Sequence, residues 1–248
     1  MTVIALPIGA IPEVRKGDDL ASLILESVSH GGPTLRQQDI VVISSKVVSK
    51  AEGRVVDGRT VRVSQIAHDI AERNGFDEIQ VELALQESVD VLRSDRVLIT
   101  ETRSGLVCNF SGVDKSNARE GQYILLPKQP DASASRIRKS LEDKTGLHLA
   151  VIITDTQGRP WRRGSVNIAI GCSGISSFKY NKGRRDLYGR ILQRSTVCQV
   201  DEIASLAEPL MGQGGERIPV AIVRGYPFED GDTDCQSIVR QVEEDVFR

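Results

Sequence analysis

The densest chemistry in this chain lies between positions 154 and 163. Thr154, Asp155 and Thr156 are followed by Arg159, Arg162 and Arg163, with Trp161, the only tryptophan, among them. Ala150–Thr154 is an apolar, β-branched run and reads as a buried strand. It ends on a carboxylate flanked by two hydroxyls. Gly158 and Pro160 then predict a turn. Asp155 and a threonine hydroxyl are hard oxygen ligands suited to Mg2+ or Mn2+. The arginines offer planar forks to phosphate or carboxylate oxygens. The plain alternative is an edge strand followed by a solvated basic turn.

Other polar groups bear on the same chemistry. The loop 110–117 holds Asp114 and Asn117. Asp114 could share a cation with Asp155, or simply close an Asx-turn. Lys50, near Gly53, is a point charge that could meet a phosphate, or a solvated lysine. The loop Ile8–Glu13 offers backbone N–H groups to a ligand. Gly212-Gln213-Gly214-Gly215 is not a Walker-type phosphate loop, because the lysine and hydroxyl are missing and the glycines follow a helix instead of opening one. They read first as a helix stop. Asp18 and Asp19 read as a helix start. The histidines stand in no motif, and the four cysteines show no CxxC spacing, so neither histidine acid–base chemistry nor a zinc or disulfide framework is expected.

The elements that must position these groups follow from apolar spacing. Thr2–Leu6, Asp39–Ser45, a stretch within 91–100, Leu106–Asn109, Tyr123–Leu126, Val151–Thr154, Val166–Gly174 and Pro219–Val223 read as strands. Helices are expected from Asp18–Asp19 onward, over Val63–Asn74, over Asp77–Val89, from Asp131–Ser133 to Thr145, and over Val197–Met211. Lys46–Arg54 reads as an extended segment with one wet face. The tail from Phe228 reads as acidic and then helical. Without a steady βαβ repeat, the expected class is α+β, with mixed, largely antiparallel sheets and flanking helices. A single domain of 248 residues is expected, with a weak lobe boundary near 146.

Composition narrows the function classes. A net charge of −2 gives no basic surface for nucleic acid, and 4% aromatic residues weaken base stacking. No apolar run reaches the roughly 18 residues of a membrane span. Nor does the start resemble a signal peptide, so a cytoplasmic protein is expected.

Six motifs occur in order: Gly17-Asp18-Asp19-Leu20, Ser49-Lys50-Ala51-Glu52-Gly53-Arg54, Gly112-Val113-Asp114-x-Ser116-Asn117, Thr154-Asp155-Thr156-x-Gly158-Arg159-Pro160-Trp161-Arg162, Asp186-Leu187-Tyr188-Gly189-Arg190 and Met211-Gly212-x-Gly214-Gly215. Together they resemble the coenzyme F420 glutamyl ligase family, over about Leu6 to Gly225. The resemblance implies a GTP-dependent ligase that joins L-glutamate to the carboxylate of a lactyl-phospho deazaflavin precursor through an acyl phosphate. It implies two Mg2+ or Mn2+ ions, with K+ as a candidate further cation, and an intertwined homodimer. It places Asp114, Asp155, Thr156 and Gln213 on the metals. It places Ala10, Ile11, Pro12, Glu13, Ser44, Ser45, Lys50 and Asn117 on GTP, with Gly212, Gly214, Gly215, Glu216 and Arg217 closing over it. Gln213 departs from the family pattern, in which an acidic residue is common there. Asp155, with Arg159 and Arg162 on phosphate or carboxylate, makes the expected catalytic group. The alternatives are a ligase of the same fold on another acceptor, or a non-catalytic, metal-dependent nucleotide-binding dimer.

Overall fold

The computed structural model describes residues 2–231 and 233–245. Its first half runs β1 (Ile4–Ile8), α1 (Leu20–Ser29), β2 (Ile40–Ser44), α2 (Ser45–Ala51), β3 (Val55–Asp57), α3 (Gln65–Asn74), α4 (Glu78–Glu87), β4 (Ser88–Arg93), β5 (Ile99–Thr102), β6 (Val107–Asn109) and β7 (Gln122–Ile124). The second half runs α5 (Pro130–Thr145), β8 (Ala150–Arg159), β9 (Arg162–Ser173), β10 (Phe178–Tyr180), β11 (Thr196–Cys198), α6 (Gln199–Met211) and β12 (Val220–Arg224).

A five-stranded sheet in the order β1-β12-β2-β8-β9 carries the fold. Only β2 and β8 run parallel; every other neighbour is antiparallel. Alternation along the two central strands builds a core on each face. Val41, Ile43, Val151 and Ile153 meet residues of α1, α2 and α5, while Ile40, Val42, Ala150 and Ile152 meet α6. A third cluster lies in a lobe of α3, α4 and the small sheets β3-β7 and β4-β5-β6, between residues 55 and 126. The α+β class with mostly antiparallel pairing is thus as expected.

Local signals placed most helices. Asp19 caps α1 by accepting the Ala21 N–H at 3.1 Å, and Asp77 caps α4 at 3.0 Å. Four expectations need correction. Ser45–Ala51 is helical, not extended. Val47, Val48 and Ala51 share one helical face and pack into the α1–α5 core, and that burial outweighs the weak helix propensity of valine. The strand through Asp155 does not stop at Thr154: β8 continues to Arg159, and the turn is Pro160-Trp161, with Arg159 opposite Arg162. The tail is not an α-helix among the described residues. Two 3-10 turns, Cys235–Ile238 and Val242–Glu244, interrupt irregular chain, while residues 232 and 246–248 of that expectation lie outside the described residues. Asp131, expected to cap α5, lies inside its first turn and accepts the N–H groups of Cys172 and Cys235.

The tail is also held by His148, whose Nε2 lies 2.8 Å from Asp230 and whose Nδ1 lies 3.3 Å from Glu142. The Asp230 hydrogen bond, with both carboxylate charges, raises the imidazole above its ordinary pKa. A histidine raised on folding contributes stability below its unfolded pKa of about 6.5 and loses it as pH climbs through the folded value. Melting temperatures of the wild type and His148→Gln should therefore converge between about pH 6 and pH 8. A gap that stays constant over that range would remove the imidazole charge from the tail's attachment.

Candidate active site

Register gathers the candidate residues. Ile8 and Ile43 both flank Val220, and Ser44 pairs with Thr154. The end of β1, the start of β12, the end of β2 and the Asp155 end of β8's buried run therefore lie in a row. The loops that leave them are 9–13, 212–219 and the start of α2. The Ser44 N–H donates to the Pro219 carbonyl at 2.9 Å, tying two of these loops.

Asp155 sits at the β8 end of that row. Continuing the alternation, Asp155 and Gln157 share the α1–α5 face, and Ser45 enters on the same side. Ser45 Oγ donates to one carboxylate oxygen at 2.8 Å, and Gln157 Nε2 donates to the other at 2.9 Å. The carboxylate is half-buried, and burial pushes its pKa up against the help of Ser45, Lys46 and Gln157; the charge of Asp114 pushes the same way as burial. Asp114 closes an Asx-turn onto Ser116 N–H at 2.7 Å, and its other oxygen lies 2.8 Å from Lys46 Nζ. Burial opposes its ionisation, but Lys46 and the Ser116 donors hold it below the ordinary carboxylate value. The Asx-turn reading of Asp114 is realised, and the Lys46 charge that pairs with Asp114 also acts on Asp155.

The same edge carries Lys50, whose Nζ lies 2.9 Å from Glu13 Oε1. That contact leads the lowering of the Glu13 pKa, helped by the charges of Arg119 and Arg15. Ala10, Asn117 and Arg217 all have left-handed backbone, with φ of 59°, 55° and 59°. Asparagine tolerates that conformation, whereas alanine and arginine seldom adopt it. Such strain persists only where the surroundings impose it, and it gathers at ligand-binding loops. Ile11 packs on the core, and Pro12 completes that loop.

Other expected residues are placed elsewhere. Thr156 faces the α6 side of the sheet and donates to Asn167 Oδ1 at 2.7 Å, so its hydroxyl does not join Asp155. Gln213 donates its amide to the Glu208 carboxylate at the end of α6, and the Gly214 N–H donates to Glu216 at 2.8 Å. Gly212 and Gly215 complete that exposed turn. Arg159 and Arg162 stand at the β8–β9 tip, four residues or about 13 Å of strand beyond Asp155. Lys46 and Gln157 were not singled out from the sequence. The signal for Gln157 was its place two residues after Asp155 on the same strand face, and for Lys46 its place just after an apolar strand.

The donor set fits a hard divalent cation. Asp114, Asp155 and Ser45 offer oxygen ligands, the Gln157 side chain adds an amide oxygen if its amide turns, and the Asp114 carboxylate already meets a positive charge at Lys46. The nearby Cys108 thiol is pushed up to about 12 by burial, with the Asp155 charge adding, so it stays protonated and is no nucleophile.

Gly112 fixes the approach of the Asp114 loop. Its φ is +70°, and a Cβ built on it would lie 2.5 Å from the Leu126 side chain. Gly112→Ala should cost about 2 kcal/mol in urea denaturation and weaken cation binding. Gly121→Ala, at φ +73° in open space, should cost about half that. Equal losses at the two positions would deny the packing role of Leu126.

Comparison with known proteins adds the family. Residues 9–225 match the family model for F420-0:Gamma-glutamyl ligase. The chain belongs to that family. It is 43% identical to the coenzyme F420:L-glutamate ligase of Methanothermobacter thermautotrophicus over the whole of both chains. It is 42% identical to the enzyme of that name from Methanopyrus kandleri, covering 98% of this chain and 96% of the relative. The Archaeoglobus fulgidus enzyme is also 42% identical, over 100% and 97%. In this ligase-family chain, the motifs around Asp114 and Asp155 all fall inside the matched span. Among the described residues, no helix is long and apolar enough to cross a membrane.

Proposed function

We propose that the chain is a GTP-dependent ligase that joins L-glutamate to the carboxylate of a deazaflavin precursor of coenzyme F420. Family membership supports the glutamate ligation. The observation that supports the mechanism is that the Asp114–Lys46 pair stands close enough to Asp155 for both charges to act on it, at the sheet edge where the loops 9–13 and 212–219 converge. GTP and the acyl-phosphate route follow from the resemblance and from chemistry. A carboxylate does not condense with an amine in water. Transfer of the γ-phosphoryl group to the carboxylate releases GDP and gives an acyl phosphate. The glutamate amine, having lost its proton, then attacks the carbonyl carbon, and phosphate leaves.

Such a reaction needs positioning and charge neutralisation more than a nucleophile. Asp114 and Asp155 would hold Mg2+ or Mn2+, with Gln213 or Thr156 reaching them only after a change in the arrangement described above. The bound metals would supply neutralisation of the phosphate oxygens. Lys50 and Lys46 place two ammonium groups beside the triphosphate path. Ser45 and Gln157 keep the Asp155 carboxylate in one orientation. Arg159 and Arg162, out of reach of their own Asp155, fit the carboxylates of a substrate bound across a homodimer. The exposure of Trp161 (88%), Leu187 (92%) and Tyr188 (87%) supports such a dimer.

The test is incubation with GTP, Mn2+, L-glutamate and the lactyl-phospho deazaflavin. The expected result is a mass gain of a glutamyl unit with matching release of GDP and phosphate. Folded protein that gives no gain overturns the reading. GDP release dependent on a different acid would favour the same fold acting on another acceptor, and GTP binding without turnover would favour a nucleotide-binding dimer.

A further inference from the structure

Away from the Asp155 edge, a second polar cluster joins three elements. Asp131 from the first turn of α5, Cys172 from β9 and Cys235 from the tail each place a ligand atom within 4.8 Å of the others. Both thiols are buried, at 4% and 5% exposure. The cluster is braced through its backbone. One Asp131 carboxylate oxygen accepts the Cys172 N–H at 2.8 Å and the Cys235 N–H at 2.9 Å. The ligands lie 41 and 104 residues from Asp131, so no sequence spacing could announce them.

The tail does not need these sulfurs for its attachment. The Ser177 N–H donates to Thr233 Oγ1 at 2.7 Å, and Ser177 Oγ donates to the Asp234 carbonyl at 2.8 Å. None of the steps proposed for the ligation uses a thiol. We propose that Asp131, Cys172 and Cys235 form a binding site for a borderline-soft divalent cation of the Zn2+ type.

The donor chemistry selects the metal. Two sulfurs and one carboxylate suit Zn2+, whereas the all-oxygen set at Asp155 suits Mg2+ or Mn2+. Three protein ligands leave a fourth position. Asp131 and Cys235 line a cavity of about 1510 Å³ that also reaches Gln157 and Arg159, so water completes the coordination from that side. Loading balances simply: the cation takes two thiolates and one carboxylate, and two thiol protons leave to solvent. The Cys172 thiol gives up its 3.4 Å contact with the Thr233 carbonyl, and that carbonyl keeps the Ser177 hydroxyl at 3.3 Å. The bound ion would join α5, β9 and the tail at one point.

The test adds Co2+ to the reduced full chain, without air and with excess Mg2+ to fill the oxygen site. The expected result is a thiolate-to-cobalt charge-transfer band that saturates at a single equivalent and is displaced by Zn2+. Cys172→Ser and Cys235→Ser should each lose most of the band, and Cys198→Ser should keep it. Asp131→Asn retains an oxygen for the two backbone donors but loses the charge, and should weaken Co2+ binding by about tenfold or more. If the serine variants fail to fold, the wild type decides. Zn2+, but not Mg2+, must then protect the thiols at 172 and 235 from alkylation. No band in the wild type, a band unchanged in both serine variants, thiols left unprotected by Zn2+, or a Cys172–Cys235 disulfide in protein purified without air would each overturn the proposal.

Discussion

Asp155→Asn is expected to lower kcat/KM for glutamate ligation by about a thousandfold, a loss of ~4 kcal/mol in transition-state stabilisation. The carboxylate is the centre of the oxygen donor set, and no other acidic group stands within reach of Ser45 and Gln157 among the contacts described. Asparagine keeps the shape and one acceptor oxygen; its amide can still meet the Ser45 hydroxyl, so the fold should survive. Stability should hold or rise. A carboxylate whose pKa is raised on folding disfavours the folded state at neutral pH, so deleting its charge removes that burden. The combination of lost turnover, lost Mn2+ binding by titration and an unchanged or higher melting temperature marks a residue kept for function rather than for packing. A variant that retains a tenth or more of wild-type turnover would take Asp155 out of the mechanism.

The second large effect lies at the opposite end of the sheet. Asp39 is fully buried beside β2, and Arg224 at the end of β12 meets it at 2.7 and 2.8 Å while also donating to the Thr34 carbonyl. Arg224→Ala leaves the carboxylate with the Arg36 N–H, at 2.8 Å, as its donor among the contacts described. Stranding a buried charge in this way costs about 3–5 kcal/mol, which should appear as a large drop in the urea midpoint. Replacing both partners together, Asp39→Asn with Arg224→Leu, should recover part of the loss, since no charge is then stranded. A loss within ~0.5 kcal/mol for Arg224→Ala, the level of an ordinary surface change, would show that water reaches Asp39.

Both predictions rest on contacts between distant segments, and that is where sequence reading thins out. Strands such as Asp39–Ser45 and Pro219–Val223 were legible because a fully apolar run needs burial on both faces. Helices with an Asp cap and a Gly stop were legible for local reasons as well. α2 was not: Lys46-Val47-Val48 carries β-branched residues that favour strands, and only the core waiting beneath Val48 makes the helix worthwhile. Likewise, nothing local says whether Gly158 ends β8 or lets it run on to Arg159. At the site, residue types were enough to single out Asp155 and Asp114. That the two could share a cation was legible as well; the part of Lys46 was not, because it comes from a third segment. Thr156 shows the limit in reverse: adjacency to Asp155 in sequence means opposite faces in a strand.

The place of β12 between β1 and β2 bears on how the molecule is made. Made after both of its neighbours, this strand must slide into the gap between two strands already synthesised. Until it arrives, Ile8, Ile43 and their neighbours present open hydrogen-bonding edges and bare apolar faces, the combination that invites aggregation. A nascent chain halted before residue 220 should therefore stay bound to chaperones, and release should coincide with the appearance of Val220–Arg224 outside the ribosome.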